Sequence, residues 1–198
     1  MQEMKGRRKM KHHEYGPSNY PAWSECPCFQ SSHSESSAST EGTDAHAELA
    51  KALTDPEYIP SNYAARWASN LIIEHANGGE IWSERRVDAT LGAMAGIFGT
   101  LDAGWKENDG TLHIADFKTF SDGTIDYFPQ LKGYATLIWP HENFEGADKV
   151  RIVLHVLHGG VCKEETLETT FGKCIMDTLN ILSEVKGGHG DPCICKWC

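Results

Sequence analysis

Leu112-His113-Ile114-Ala115-Asp116-Phe117-Lys118 is an apolar run that ends on an acid and a base; upstream of it stand Gly99-Thr100-Leu101-Asp102 and the turn Glu107-Asn108-Asp109-Gly110. An Asp-Gly turn between alternating apolar residues is a good short-range hairpin signal, so 96–105 and 112–118 are expected as neighbouring strands. By the side-chain period of two, Leu112, Ile114, Asp116 and Lys118 share one face, and Ala115 and Phe117 point the other way. An Asp-x-Lys on a strand is commonly a solvated surface pair. Two carboxylates and an ammonium on adjoining strands can, however, hold a divalent metal and a water beside a phosphodiester.

The elements around this hairpin predict an α/β domain. Residues 126–139 read as a helix with an Asp126 cap, Pro129 in the first turn and Pro140 beyond its end, and Gln130 and Tyr134, four apart, share a face. Helices are expected over 43–53 and 63–76, and strands over 81–91 and 150–157. A final amphipathic helix is expected over 164–185, with Leu167, Phe171, Cys174, Thr178 and Leu182 on its inner stripe. The Ser-rich stretch 31–43 reads as a loop. A length of 198 residues suits a single core. Lys5, Arg7, Arg8, Lys9 and Lys11 make residues 1–25 a basic, flexible N-terminal arm ahead of one domain over 26–198.

Of the ten histidines, His46 stands out. In the segment 43–53 it lies on one helical face with Leu49, Ala50 and Leu53 and points inward. That is the place of a satisfied core histidine as well as of a metal ligand. His75, His113, His141, His155, His158 and His189 have no comparable context. Glu84, on the strand before Asp102, is a lesser candidate for an accessory role, since a solvent-facing Glu is the commoner case.

Taken together, Gly42-Thr43-Asp44-Ala45-His46, then Asp102 after Gly99, then Asp116-Phe117-Lys118, then Gln130-Leu131-Lys132-Gly133-Tyr134 resemble the PD-(D/E)XK nuclease superfamily, in its RecB-like exonuclease branch that includes the CRISPR-adaptation exonucleases and phage proteins of similar size. The resemblance runs from about Cys26 to Cys198. It implies a restriction-endonuclease-like core, a mixed central sheet flanked by helices, and metal-dependent DNA exonuclease activity in recombination, repair or CRISPR-adaptation-like processing. Mg2+ or Mn2+ would be held by His46, Asp102, Asp116 and the Phe117 backbone carbonyl, with Lys118 orienting a water and Gln130 and Tyr134 positioning substrate or bracing the site. The implied partner is DNA, single-stranded or with a free end, together with a protein partner in a recombination complex and no membrane. The compartment would be the cytoplasm of a bacterial or phage-infected cell. The alternative is an interaction protein that keeps the fold to bind a partner or DNA.

Seven cysteines, an odd count without a secretory signal, argue for thiols that bind metal rather than for a disulfide scaffold. By the same resemblance, Cys26 with Cys193, Cys195 and Cys198 would hold a 4Fe-4S cluster that ties the chain ends together. The compressed spacing Cys-x-Cys-x2-Cys departs from the family's usual longer spacing. It leaves Cys28 open as a substitute ligand and structural zinc open as the metal. Cys162 and Cys174 are read as bystanders. The formal net charge of -10 predicts weak, salt-sensitive contact with bulk DNA, which suits an enzyme that threads an end or works with a partner.

Overall fold

A computed structural model describes residues 13–30, 37–89, 92–121, 123–138 and 150–187, with 37–40 described by their backbone. Five strands, β1 Ile81–Asp88, β2 Phe98–Lys106, β3 Leu112–Lys118, β4 Arg151–His158 and β5 Lys163–Thr170, form one mixed sheet in sequence order. All neighbours are antiparallel except β3 and β4, which run parallel and are joined by the crossover that contains helix α4, Phe128–Ile138. Helices α2 Ser37–Thr54 and α3 Tyr63–Ala76 cover one face. Helices α1 Tyr20–Glu25, α4 and α5 Phe171–Gly187 cover the other.

The alternation expected for β3 decides which residues meet which layer. Leu112 and Ile114 enter the core beneath α4 and α5, whereas Ala115 and Phe117 enter the smaller core beneath α2 and α3. The hairpin forms where the Asp-Gly turn predicts it, with Glu107 N donating to Thr111 O at 2.9 Å, Gly110 at φ 90° and Asp109 Oδ1 accepting from Thr111 N. Asp126 lies one residue before the cap position of α4, which Tyr127 takes, and its Oδ1 accepts from Phe128 N at 2.9 Å in a turn that leads into the helix. The α4 layer sits close to its neighbours because it lacks bulk where rings lie across it. A Cβ on Gly133 would fall 2.5 Å from Tyr20 Cε2, and one on Gly99 would fall 2.7 Å from Tyr134 Cε1.

Three expectations are corrected. Helix α2 begins at Ser37 rather than at 43, because the Ala45, Leu49 and Ala52 stripe anchors its central turns and nothing in 37–42 breaks the backbone ladder. Lys163–Thr170 is an edge strand and not the start of the last helix. Glu164, Thr166 and Glu168 share one face and Glu165, Leu167 and Thr169 the other along an antiparallel ladder to β4, and a charged edge resists further pairing. Of the expected inner stripe, Phe171, Cys174, Thr178 and Leu182 belong to α5 while Leu167 lies on β5, and burial pushes the Cys174 thiol up to about 12. Finally, Pro17–Glu25 is not an arm: Tyr20 and Trp23 are core residues packed against α4. The basic residues Lys5 to Lys11, the loop residues 31–36, Trp139, Pro140, His141 and His189 lie outside the described residues.

Asp177 on α5 clamps α4 in place, accepting from Lys132 Nζ at 2.8 Å and from Lys173 Nζ one turn away. Against the burial that would raise it, the two ammonium groups hold the Asp177 carboxyl below its ordinary value. A carboxyl depressed in the folded state contributes stability above its unfolded pKa and loses it as pH falls through the folded one. Asp177→Asn should therefore be less stable than the parent in urea at neutral pH, with the difference shrinking toward zero between about pH 5 and pH 2. A difference that stays constant over that range would show that the clamp is not electrostatic.

Candidate active site in a fork of the sheet

Pairing between β2 and β3 covers only Ala103 to Lys106 against Ala115 to Leu112. Beyond it, β2 stays with β1 as far as Phe98, and β3 stays with β4 as far as Lys118. The sheet thus splits into two ribbons, and the split begins at Asp102 and Asp116. Asp102 fills the first gap itself: its Oδ2 accepts from the backbone N–H of Phe117 at 2.7 Å, where a ladder carbonyl would otherwise be needed.

The two faces of the fork deliver different groups. From the α2 side His46 packs its ring 5.2 Å from that of Phe117 and places Nδ1 3.1 Å from Asp102 Oδ1. Glu48, two residues along, accepts from Ser61 Oγ and Asn62 N, which ties the His46 helix to the start of α3. From the α4 side Gln130 Nε2 donates to Asp116 Oδ1 at 2.9 Å and to Tyr134 Oη at 3.3 Å, while its Oε1 accepts from Lys118 Nζ at 3.0 Å. Lys118 Nζ lies 2.8 Å from Asp116 Oδ2, an oxygen that is buried and has this ion pair but no hydrogen bond. The residues singled out in the sequence around the hairpin therefore fall into two polar groups on adjoining strands, His46 with Asp102 and the Phe117 amide, and Asp116 with Lys118, Gln130 and Tyr134.

Charges in these groups are strongly biased. Burial raises the Asp116 carboxyl above its ordinary value, with Lys118 opposing the shift. Burial also works against the charge of Asp102, but His46 and Lys118 outweigh it and hold that carboxyl low. The Lys118 ammonium is held above its ordinary value by Asp116 and Asp102 in spite of its own desolvation. Two carboxylates with different proton affinities beside a fixed cation suit proton transfer and metal ligation alike.

Glu84 takes a larger part than its sequence context suggested. Its ladder position faces Asp102, between the pairs Ser83 with Ala103 and Arg85 with Leu101, and it adopts φ 49°, a left-handed conformation unusual in a strand. The side chain joins His46 and Asp102 in a group whose ligand atoms lie within 4.8 Å of one another. Burial and the charge of Asp102 raise the Glu84 carboxyl. In the fork the side chains that could share a metal are thus His46, Glu84 and Asp102, with Asp116 turned toward Lys118 and Gln130. A signal for this was available, since Glu84 and Asp102 are equidistant in sequence from Ala93 in the intervening turn.

A cleft of about 390 Å³ opens from His46 and Lys118 along Thr119, Phe120, Ser121 and Tyr127. Phe120 is exposed, and the Lys118 ammonium lies 4.7 Å from the centre of the Tyr127 ring.

The cysteines are only partly in view. Cys26 is buried at the end of α1 and Cys28 is half-buried beside it, whereas Cys193, Cys195 and Cys198 lie outside the described residues. Among the described residues no three cysteines come together.

No family model matches the chain, and no curated protein matches it. A solved structure described as "Crystal structure of SSO0001" aligns over 94% of this chain and 81% of its own, at 12% identity and a TM-score of 0.40. No helix among the described residues is long and apolar enough to cross a membrane.

The left-handed backbone of Glu84 costs on the order of 1 kcal/mol, strain of the kind that accumulates at functional sites. Glu84→Gly should raise the stability to urea by about that amount. Arg86→Gly, two residues along the same strand and outside the left-handed region, should lower it by about 0.5–1 kcal/mol. A Glu84→Gly protein less stable than the parent would show that the residue is held there by its own contacts and not against strain.

Proposed function

We propose that the chain is a metal-dependent nuclease of the PD-(D/E)XK type, in its RecB-like branch, that hydrolyses phosphodiester bonds in DNA. The observation that supports this best is the placement of Lys118. Its ammonium is held between Asp116 and Gln130 at the mouth of a sheet fork, beside the grouped His46, Glu84 and Asp102.

The donor set fits a hard divalent cation with some nitrogen character, Mg2+ or Mn2+. Carboxylate oxygens and one imidazole converge, and Asp116 keeps an oxygen that makes no hydrogen bond. His46, Glu84 and Asp102 would hold the ion, with Asp116 and the Phe117 carbonyl joining them. Such an ion, when bound, polarises a phosphate oxygen and acidifies a water. The protein's own groups do the rest. Lys118 sets a fixed positive charge where negative charge builds in the transition state, and Gln130 holds Lys118 and Asp116 in register. Tyr134, packed on Gly99, keeps Gln130 from rotating away. The exposed ring of Phe120 and the ring of Tyr127 along the cleft offer stacking surfaces to unpaired bases, in keeping with a strand end as substrate.

An iron-sulfur cluster on Cys26 with Cys193, Cys195 and Cys198, or structural zinc in its place, belongs to the same reading. So do a role in recombination, repair or CRISPR-adaptation-like processing alongside a protein partner, and residence in the cytoplasm of a bacterial or phage-infected cell.

Purified protein with Mn2+ should shorten an end-labelled DNA strand. Asp116→Ala should abolish this, and Lys118→Met should slow it by about 10²–10³-fold while leaving the fold intact. Cleavage that persists in Asp116→Ala would remove the site from the reaction. Absence of cleavage across divalent metals and across single- and double-stranded substrates would favour the binding-module alternative.

A further inference from the structure

A second cluster of ligating side chains lies on the α3 side of the sheet, toward the opposite end of β3 from Lys118. His113 and His155 project there from β3 and β4 by the same alternation that places Phe117 and Leu157 on that face. His113 Nδ1 is 2.9 Å from His155 Nε2, and His155 Nδ1 is 2.6 Å from Glu164 Oε1. His75 Nε2, from the last turn of α3, is 3.2 Å from Glu164 Oε1 and 3.2 Å from Oε2. The Trp105 ring lies nearly parallel to both neighbours, 4.7 Å from His113 and 6.2 Å from His75, so the rings are held in place. His155 is 4% exposed, while His75 and Glu164 are 38% and 20% exposed, so the group opens to solvent on the His75 side.

The protons in this chain of groups do not balance when it is built from neutral imidazoles and carboxylates alone. If His155 donates from Nδ1 to Glu164, its Nε2 must accept from Nδ1 of His113. His113 then turns the lone pair of Nε2 toward Glu107 Oε1, 3.0 Å away, so two acceptors face each other. That nitrogen is buried and has Glu107 as an ion-pair neighbour but no well-aligned hydrogen bond. A cation between His75, His155 and Glu164 reverses each step. The lone pair of His155 Nδ1 goes to the ion, Nε2–H donates to His113 Nδ1, and the proton on His113 Nε2 faces the Glu107 carboxylate. A ligating imidazole whose other nitrogen donates into a carboxylate-backed chain is the usual outer-shell arrangement of a metal histidine.

We propose that His75, His155 and Glu164 form a second metal site, for a divalent transition metal of the zinc class, with His113 and Glu107 as its supporting shell. Their ligand atoms already lie within 4.8 Å of one another. Two imidazole nitrogens and one carboxylate oxygen favour such an ion over Mg2+ and leave a further position for water. The site joins α3 to β4 and β5. The C-terminal end of α3, closed by Asn77 at φ 47°, adds a favourable dipole toward a cation.

The full-length, metal-stripped protein in an Asp102→Asn background, which weakens metal binding in the fork, would be titrated with Zn2+ by calorimetry and with Co2+ by absorption. His75→Asn and Glu164→Gln alter side chains outside the core, and circular dichroism checks that both variants fold. The parent should bind one equivalent of Zn2+ more than either variant. The Co2+ equivalent lost should carry visible ligand-field bands without the near-ultraviolet thiolate charge transfer of a cysteine site. Equal stoichiometry and affinity in the parent and the folded variants would overturn the proposal. So would loss of an ion that carries the thiolate band.

Discussion

The hydrogen bond from the Phe117 amide to Asp102 Oδ2 is the contact on which the rest of the site depends. It stands where the β2–β3 ladder stops, so it both ends the pairing and satisfies the first amide that the ending would strand. A buried amide left without a partner costs about 1–3 kcal/mol, which a carboxylate offsets well because its bond is charge-assisted. The consequence is a stable opening between two ribbons of one sheet. His46 and Glu84 reach Asp102 there, while the lysine that follows Phe117 faces the other helix layer. The acid that sustains the fork is thus also the acid that would ligate a metal in it.

Holding such a group together demands that the α4 layer be rigid. Asp116 and Gln130 are 2% and 4% exposed, and a half-satisfied buried network is worse than an apolar core. Gln130 meets that demand by donating to Asp116 and Tyr134 while accepting from Lys118. Tyr20 against Gly133, Tyr134 against Gly99, and the Lys132–Asp177 pair fix α4 at three points around it. The cleft beside Lys118 is bounded on one side by Gly42 and His46 of α2 and on the other by Thr119, Phe120, Ser121 and Tyr127.

Much of this was legible because β3 and α4 have strong local patterns. An apolar strand ending in Asp116-Phe117-Lys118, and a capped helix with Gln130 and Tyr134 four apart, each constrain their own geometry, and the turn at Gly110 sets them beside Asp102. What escaped depended on pairing between distant segments. Lys163–Thr170, dense in Glu and Thr, is compatible with either a helix or a strand until β4 offers it an edge. Glu164 reaches His155 only through that ladder, so the histidine cluster could not be seen without it. Glu84 is exposed, as its context suggested; what strand alternation hides is its approach to His46 and Asp102, because that rule assumes a regular backbone and the left-handed φ of Glu84 breaks it.

The most direct test is a crystal of the full chain soaked in Mn2+ with a short phosphorothioate oligonucleotide and measured at the manganese edge. An anomalous peak bounded by His46, Glu84 and Asp102, with a phosphate oxygen against it and Lys118 beside that phosphate, is the predicted result. Bound oligonucleotide with no manganese in the fork, or manganese there with the phosphates elsewhere, would contradict the account.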